Sequence, residues 1–290
     1  MTTDRDQLQF HIENSANNIK NSEHFRAAII KHSEILNDVY QRHPLFYKNI
    51  FRNKRFIICS TLLSIYFRQP DAGLKDIKAF LKGKNIISDN SLDSFLFFLR
   101  VRRWISVKQM DHDKRQLQFE PTAKALLEIN SLITSMALPY QIMMPTISVE
   151  ELVKRPHFTA DFFSAFGECT LNDIYLIDLV PPAALFIGKD AGHMILLILF
   201  AESIRYNTNT LLLSSAEIAK FSAVSRAHIN RVLLAAEQAG LLTTTNNVYI
   251  ELHSTFFNMA ERYFSLYFAM IGYGLEGVLQ AKPVTPIIGE

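Results

Sequence analysis

Two arginines and an asparagine lie close together between Arg226 and Arg231, and their chemistry suits base recognition. Arginine pairs with guanine edges through two hydrogen bonds, and asparagine pairs in the same way with adenine. At about 100° per residue these side chains fall on or beside one helical face. That face comprises Ala227, Arg231, Leu234 and Gln238, flanked by His228 and Asn230, with Arg226 near its start. An exposed helix face that carries such residues only for contact with water is the ordinary alternative.

The segment 213–252 predicts the elements that would position this face. Ser214 and Glu217 form a capping-box pattern that begins a short helix. After a tight turn at 222–224, Ser225 caps a second helix. This helix has apolar residues at the i, i+3, i+4 and i+7 spacing of one buried face, namely Ile229, Val232, Leu233 and Ala236.

A hairpin should follow the second helix. Gly240 is placed to end the helix, and Leu241-Leu242 opens a strand. Asn246-Asn247 predicts a turn, after which Val248–Ile250 returns. The order of helix, turn, helix and hairpin resembles a winged helix-turn-helix, with residues 225–238 in the position of its recognition helix.

The segment Val224–Leu242 also resembles the recognition segment of bacterial winged-helix regulators, including those of the MarR type. The resemblance implies a cytoplasmic repressor or activator that binds double-stranded DNA. It also implies a symmetric dimer on a near-palindromic site, so a homodimer is expected. A single chain with two such units could instead imitate the dimer.

Residues 56–120 repeat the pattern when the sequence is shifted by 137 positions, which places Ser88 on Ser225. The buried positions Leu92, Phe95, Leu96 and Leu99 then fall on Ile229, Val232, Leu233 and Ala236. Trp104-Ile105 falls on Leu241-Leu242, and the loop Asp111–Arg115 makes a longer first wing. The sequence therefore predicts two winged-helix units in one chain.

The two predicted units differ in charge. The exposed face of the first helix is Asn90, Ser94, Phe97 and Val101, and Asp89 and Asp93 beside it would repel phosphate. The basic cluster Lys48, Arg52, Lys54 and Arg55 is interpreted as a solvated helix face rather than a phosphate contact. The residues expected to contact DNA are Ser225, Arg226, Ala227, His228, Asn230 and Arg231, with Lys108, Lys114 and Arg115 from the first wing.

Composition places the chain in a broad class. A length of 290 residues with 49% hydrophobic content suggests about two domains with a large core. The net charge of +2 is too small to indicate nucleic acid by itself. Cys59 and Cys169 form no CxxC pair and indicate reduced thiols. The start lacks the pattern of a signal peptide, and the longest apolar run, Met194–Ala201, is too short for a bilayer. We expect a cytoplasmic protein with no membrane partner.

Sequence motifs for catalysis are missing. The chain has no GxSxG, no Walker-type glycine loop and no GxGxxG after a strand, and its nine histidines include no HExxH. Asp111-His112-Asp113 could bind a metal, although a solvated wing tip is the simpler interpretation. We expect no enzyme, no cofactor and no metal.

The predicted fold is mainly α-helical. Its parts are an N-terminal helical arm at 1–45, a first winged-helix domain at 46–138, a helical connector at 139–189, a second winged-helix domain at 190–253, and a C-terminal helix and tail at 254–290. A capping-box pattern at Ser148 and Glu151 predicts a connector helix that runs toward Phe166. The apolar connector either packs the units together or encloses a small-molecule effector. The aromatic C-terminal helix predicts an interface between the two halves or between two chains.

The function expected from these observations is sequence-specific DNA binding by a transcriptional regulator. A plasmid-type replication initiator is an alternative, because such initiators also carry two winged-helix units. A protein-interaction adaptor is a third alternative. A linear fall of log affinity with log salt would separate DNA binding from an adaptor. Repeated origin-like sites would separate an initiator from a regulator.

Overall fold

The computed structural model describes residues 3–69, 72–84, 86–109, 117–246 and 248–281. This part of the chain is mainly α-helical and carries two small antiparallel sheets, which confirms the predicted class. The predicted turn residue Asn247 and the predicted loose tail from 282 onward lie outside the described residues.

The first half of the chain ends in a hairpin and a long helix. Its elements are α1 Asp4–Lys20, α2 Phe25–Arg42, α3 Pro44–Ile50, α4 Asn53–Arg68, α5 Leu74–Gly83, α6 Asp89–Val101, β1 Ile105–Gln109, β2 Leu117–Pro121 and α7 Ala123–Met143. The strands β1 and β2 pair antiparallel, with Val107 opposite Phe119.

The second half ends in the same way. Its elements are α8 Val149–Val153, α9 Phe158–Leu171, α10 Leu176–Leu179, a 3₁₀ turn Pro181–Ala183, α11 Ala184–Ile187, α12 Gly192–Arg205, β3 Thr210–Leu212, α13 Ser215–Ser222, α14 Arg226–Gln238, β4 Leu242–Thr245, β5 Tyr249–Leu252 and α15 Ser254–Gln280. The three strands form one antiparallel sheet with β5 in the middle.

One helix and the strand that follows it recur in the two halves at a single offset. α6 and α14 both contain 13 residues and begin at 89 and 226, and β1 and β4 begin at 105 and 242. Both offsets equal the shift of 137 that aligned the sequences. An isolated bridge between Gly73 and Gln118 occupies in the first half the place that β3 and β5 occupy in the second.

The connector prediction is wrong in one detail. The helix expected to run from Ser148 toward Phe166 is divided into α8 and α9, and Ser148 makes no side-chain cap. Pro156 lies in the gap between them. Proline has no amide hydrogen to donate and disfavours the helical conformation of the residue before it, so the helix stops there.

The N-terminal helices belong to the core rather than to a peripheral arm. Ile12 and Ala16 of α1 are fully buried, and α1 packs along α15. α2 packs on α7 and α12. Two apolar clusters result. The larger runs from α1 to α15 and includes α12–β5, whereas the smaller is built from α4–α7 and the first hairpin.

The aromatic stripe of α15 is covered within the chain. Phe256, Phe264 and Phe268 are fully buried, and α15 packs chiefly against α9 and α1. Gly274 permits this close approach, because a Cβ atom there would lie 2.5 Å from the ring of Phe162. Burial of each Phe side chain stabilises the fold by roughly 1.5–3 kcal/mol. The expected interface is therefore intramolecular, and this stripe offers no surface to a second copy.

The lengths and apolar content of the described helices bear on whether one of them could cross a bilayer. No single one of them is both long and apolar enough to cross it. One bent pair, Pro181–Ile187 with Gly192–Arg205, meets the criteria of length and composition with a bend of 108°.

Candidate nucleic-acid interface

α13 begins at the capping box that the sequence predicts. The hydroxyl oxygen of Ser214 accepts a hydrogen bond from the Glu217 amide at 3.2 Å, and the Glu217 carboxylate accepts one from the Ser214 amide at 2.8 Å. The Ser214 hydroxyl also donates to the Glu217 carboxylate at 2.7 Å. The two hydrogen bonds that this carboxylate accepts, from the side chain and the backbone of Ser214, hold the pKa of Glu217 below its usual range. Ala223 then adopts a left-handed conformation with φ of 49°, which makes the tight turn into α14.

Both ends of α14 are fixed as predicted. Ser225 caps the helix by accepting a hydrogen bond from the His228 amide at 3.2 Å. Gly240 follows the helix with φ of 69°, and the Leu241 amide donates to the Ala236 carbonyl at 3.0 Å. This pattern is a Schellman end, which favours glycine because a side chain is strained at positive φ.

The predicted recognition face of α14 is exposed. The four residues of the buried stripe are buried, whereas Arg226, Ala227, Asn230 and Arg231 are exposed. The Arg231 Nε donates to the Ala227 carbonyl at 3.3 Å, so this side chain lies along its own helix. The first carboxylate of the helix is Glu237 near its end, and it accepts a hydrogen bond from the Thr244 amide at 2.9 Å. The N-terminal part of this face is therefore cationic.

Two of the predicted contact residues, Ser225 and His228, also make hydrogen bonds within the chain. The Ser225 hydroxyl is engaged as the helix cap. His228 is half-buried, and its Nε2 lies 3.0 Å from the Asp190 carbonyl oxygen, to which it donates a hydrogen bond. That bond ties α14 to the segment before α12. His228 therefore has a hydrogen-bond partner within the chain, and its contact with DNA stays a prediction.

Among the described residues, the first hairpin carries one of the three basic side chains that the sequence assigned to DNA contact. Lys108 is exposed on β1, but its ammonium forms an ion pair with the carboxylate of Glu120 at 3.0 Å. An exposed pair of this kind contributes about 0–1 kcal/mol and competes with other anions for the lysine. Lys114 and Arg115, and the considered metal motif Asp111-His112-Asp113, lie outside the described residues.

The exposed face of α6 is apolar where that of α14 is basic. Phe97 and Val101 are 67% and 60% exposed. The two carboxylates expected to repel phosphate are both paired with lysines of α5, Asp89 with Lys82 and Asp93 with Lys78. The negative charge at the start of α6 is therefore largely compensated within the unit.

A basic groove beside α6 was missed in the sequence as a site. Arg52, Lys54 and Arg55 at the start of α4 face the first turns of α6 across this groove. The sequence pattern showed the cluster of positive charge but indicated a solvated helix face. Folding brings the two segments together across more than 30 residues of chain, so their spacing along the sequence gave no signal.

A second polar arrangement is buried in the core. The His32 Nδ1 lies 3.2 Å from the Ser135 carbonyl, His32 and His193 meet through their Nε2 atoms at 3.4 Å, and the His193 Nδ1 lies 2.9 Å from the Tyr263 hydroxyl. A carbonyl only accepts, so His32 donates to Ser135, accepts from His193, and His193 accepts from Tyr263. Burial lowers the pKa of His32 to about 4 and lowers that of His193 strongly. Both rings are therefore neutral near pH 7 and join α2, α7, α12 and α15.

An apolar cavity of about 80 Å³ lies where the smaller core cluster meets α7 and α9. Phe162, Phe163 and Phe166 of the connector line it, together with Phe46 and Trp104 of the first half. An engineered apolar cavity that holds benzene measures about 150 Å³, so this space is too small for an effector of that size. The predicted small-molecule effector stays a prediction.

In the described ranges, no three His, Cys, Asp or Glu side chains are grouped as metal ligands. Comparisons with protein-family models, with curated proteins and with solved structures return no match to this chain.

Proposed function

We propose that the chain is a sequence-specific DNA-binding transcriptional regulator that reads bases with the exposed face of α14. The observation that carries the proposal is the combination of element order and surface. The order α12, β3, α13, α14, β4, β5 supports a winged-helix unit. Its third helix presents Arg226, Asn230 and Arg231 on a face whose first three turns contain no carboxylate. A cytoplasmic location belongs to the same proposal.

We infer that the first half is a second winged-helix unit related to the other by duplication. Equivalent hydrogen bonds at the offset of 137 support this inference. The Trp104 amide donates to the Leu99 carbonyl at 2.8 Å, as Leu241 does to Ala236. A further pair agrees only at the acceptor: the Thr122 hydroxyl donates to the Arg103 carbonyl at 2.8 Å, and the Thr255 hydroxyl donates to the Gly240 carbonyl at 2.7 Å. The two carbonyls keep the offset of 137, whereas the threonines do not, because the first hairpin is longer.

The proposal is tested by selecting bound sequences from random duplex DNA and then measuring variants on the selected site. The double variant Arg226→Ala, Arg231→Ala should lose about 1–3 kcal/mol for each arginine that pairs with a guanine, and should lose preference at those positions. Arg26→Ala, on an exposed position of α2, is the control and should bind as the wild type does. Unchanged binding by the double variant would remove α14 as the reader.

The same selection distinguishes a regulator from a replication initiator. A single operator-like site favours the regulator, and an array of repeated sites favours the initiator. Two units in one chain are compatible with both.

One observation favours a protein-interaction adaptor as the second candidate function. Leu212, Leu234 and Tyr249 are apolar and exposed around the second hairpin, and Val248 lies beside them. An apolar patch on a surface marks a contact site for protein more often than for DNA. The double variant Leu212→Ser, Tyr249→Ser, which leaves the face of α14 intact, should leave DNA binding unchanged if the regulator proposal is correct. A homodimer through this patch would show as a concentration-dependent mass in sedimentation that the variant abolishes.

A further inference from the structure

An open groove of about 710 Å³ lies between the start of α4 and the first turns of α6. Its lining includes Arg52, Lys54 and Arg55 on one side and Ser88, Asn90 and Ser91 on the other. The lining contains three cationic side chains and several hydroxyl and amide groups, but no carboxylate. Such a surface attracts an anion with many oxygen acceptors.

Each of the three cationic side chains is either exposed or held in a fixed direction, and both properties favour anion binding. Lys54 is exposed and makes no ion pair with any described residue. Arg52 is exposed and forms an ion pair with the Asp190 carboxylate at 3.6 Å. An exposed pair of this kind contributes about 0–1 kcal/mol, so a phosphate can compete for the guanidinium. Arg55 donates to the Asn49 side chain, and its guanidinium lies 5.6 Å from the ring centre of Phe95. Its direction is fixed before any ligand binds.

The groove adjoins the first turn of α14. Asp190 is the link, because its carboxylate faces Arg52 while its carbonyl accepts the hydrogen bond from His228. Arg52 therefore lies within two contacts of the helix that presents Arg226. A duplex that met α14 would carry its phosphate backbone past this point.

We propose that the groove binds the phosphate backbone of the same duplex that α14 reads, so that Arg52, Lys54 and Arg55 position the DNA while α14 selects its sequence. This inference rests on the proposed function. Phosphate oxygens accept hydrogen bonds from guanidinium, ammonium and hydroxyl groups without regard to base sequence. Each neutralised phosphate releases bound counterions, which makes the contribution visible as a salt dependence.

The test compares the double variant Arg52→Gln, Lys54→Gln with Arg26→Gln, Lys31→Gln, which removes the same charge from α2 outside the groove. The probe is a fluorescein-labelled mixed-sequence duplex of about 30 base pairs, roughly three helical turns. Fluorescence anisotropy over a salt series gives the slope of log affinity against log salt. The groove variant should flatten that slope by about 1.8, or 0.9 for each lost phosphate contact, and the control should keep the wild-type slope.

The groove variant should also weaken binding to the selected site and to the mixed duplex by the same factor. A wild-type slope in the groove variant overturns the groove proposal and leaves the role of α14 standing. A loss of preference between the two duplexes overturns it as well, because the groove would then read bases. If the wild-type chain binds neither duplex, both proposals fail.

Loss of fold in the double variant is addressed with Lys54→Gln alone. This side chain has no ion-pair partner among the described residues, so its removal should leave the melting temperature unchanged. The slope should then flatten by about 0.9, and no change would overturn the proposal.

Discussion

α6 and α14 have the same length and equivalent places in the chain, yet they present different chemistry. α14 exposes Arg226 and Arg231, whereas α6 exposes Phe97 and Val101. The basic residues of the first half lie instead beside α6, in the groove at the start of α4. The comparison indicates that the spacing of buried residues determines how each helix packs, while its exposed residues determine what the surface can bind.

The two units also differ in what stabilises them. The first unit has a core of its own, formed by residues such as Ile58, Leu92 and Phe119. The second unit shares one continuous core with α1, α2 and α15. A change in α15 should therefore affect the second unit directly and the first unit only through their contact.

The largest expected effect comes from the two cores. Phe264→Ala should destabilise the larger core by about 3–5 kcal/mol, because its side chain is fully buried. Phe119→Ala should do the same to the first unit. Trp104 is the one tryptophan of the sequence and lies in the first unit, so its fluorescence reports that unit while circular dichroism reports the whole chain. In urea, the fluorescence of Phe119→Ala should change at a lower concentration than its circular dichroism. In Phe264→Ala the circular dichroism should change first.

Coincident urea transitions in both variants would break the comparison of cores. They would mean that the chain unfolds in one cooperative step, with the two clusters acting as one.

The next effect is a dependence of stability on pH. His32 has a folded pKa of about 4 against an ordinary value of 6.5. The unfolded chain therefore binds the proton more tightly, and stability is lost as pH falls from 6.5 toward 4. His32 alone should cost about 2 kcal/mol between pH 7 and pH 5, and His193 acts in the same direction.

Urea unfolding followed by circular dichroism at the two pH values measures this loss. The matched variant His32→Phe, His193→Phe should flatten the dependence whatever it does to absolute stability. The buried residues of the first unit's core include no histidine. A loss of the Trp104 signal ahead of the circular dichroism signal at pH 5 would contradict the assignment to the larger core.

A smaller effect concerns the residue that ends each equivalent helix. Gly240 has φ of 69° and Arg103 has φ of 56° at the matching position. A Cβ atom at Gly240 would meet no neighbour within 4 Å, so Gly240→Ala should cost only the backbone strain, about 1 kcal/mol. Arg103→Gly should change stability less and in the opposite direction. If both variants raised, or both lowered, the melting temperature, the two helix ends would not be equivalent.

The smallest effect is expected in the first wing. Lys108→Ala should change stability by about 0–1 kcal/mol, because its pair with Glu120 is exposed. Its effect on duplex affinity should be smaller than that of Arg226→Ala. The partner change Glu120→Gln releases the lysine and should raise affinity for every duplex. A loss in Lys108→Ala as large as in Arg226→Ala would make the first wing an equal contributor to binding.

Local signals in the sequence predicted a large part of the fold. Ser214, Glu217 and Ser225 marked the starts of α13 and α14, and Gly240 marked the end of α14, because caps and left-handed turns depend on residues only a few positions apart. The shift of 137 also matched the equivalent elements, since buried spacing is a local property of each helix.

The surroundings of each side chain were decided only by the tertiary structure. The sequence marked His228 as a DNA contact, but folding brings it to the Asp190 carbonyl. It left open whether the aromatic stripe of α15 packs within the chain or against a second copy, and α1 and α9 cover that stripe. It marked Arg52 and Lys54 as a solvated face, but the fold sets them across a groove from α6. Periodicity determines which face of a helix is apolar, whereas the partner of that face lies on a segment distant in sequence.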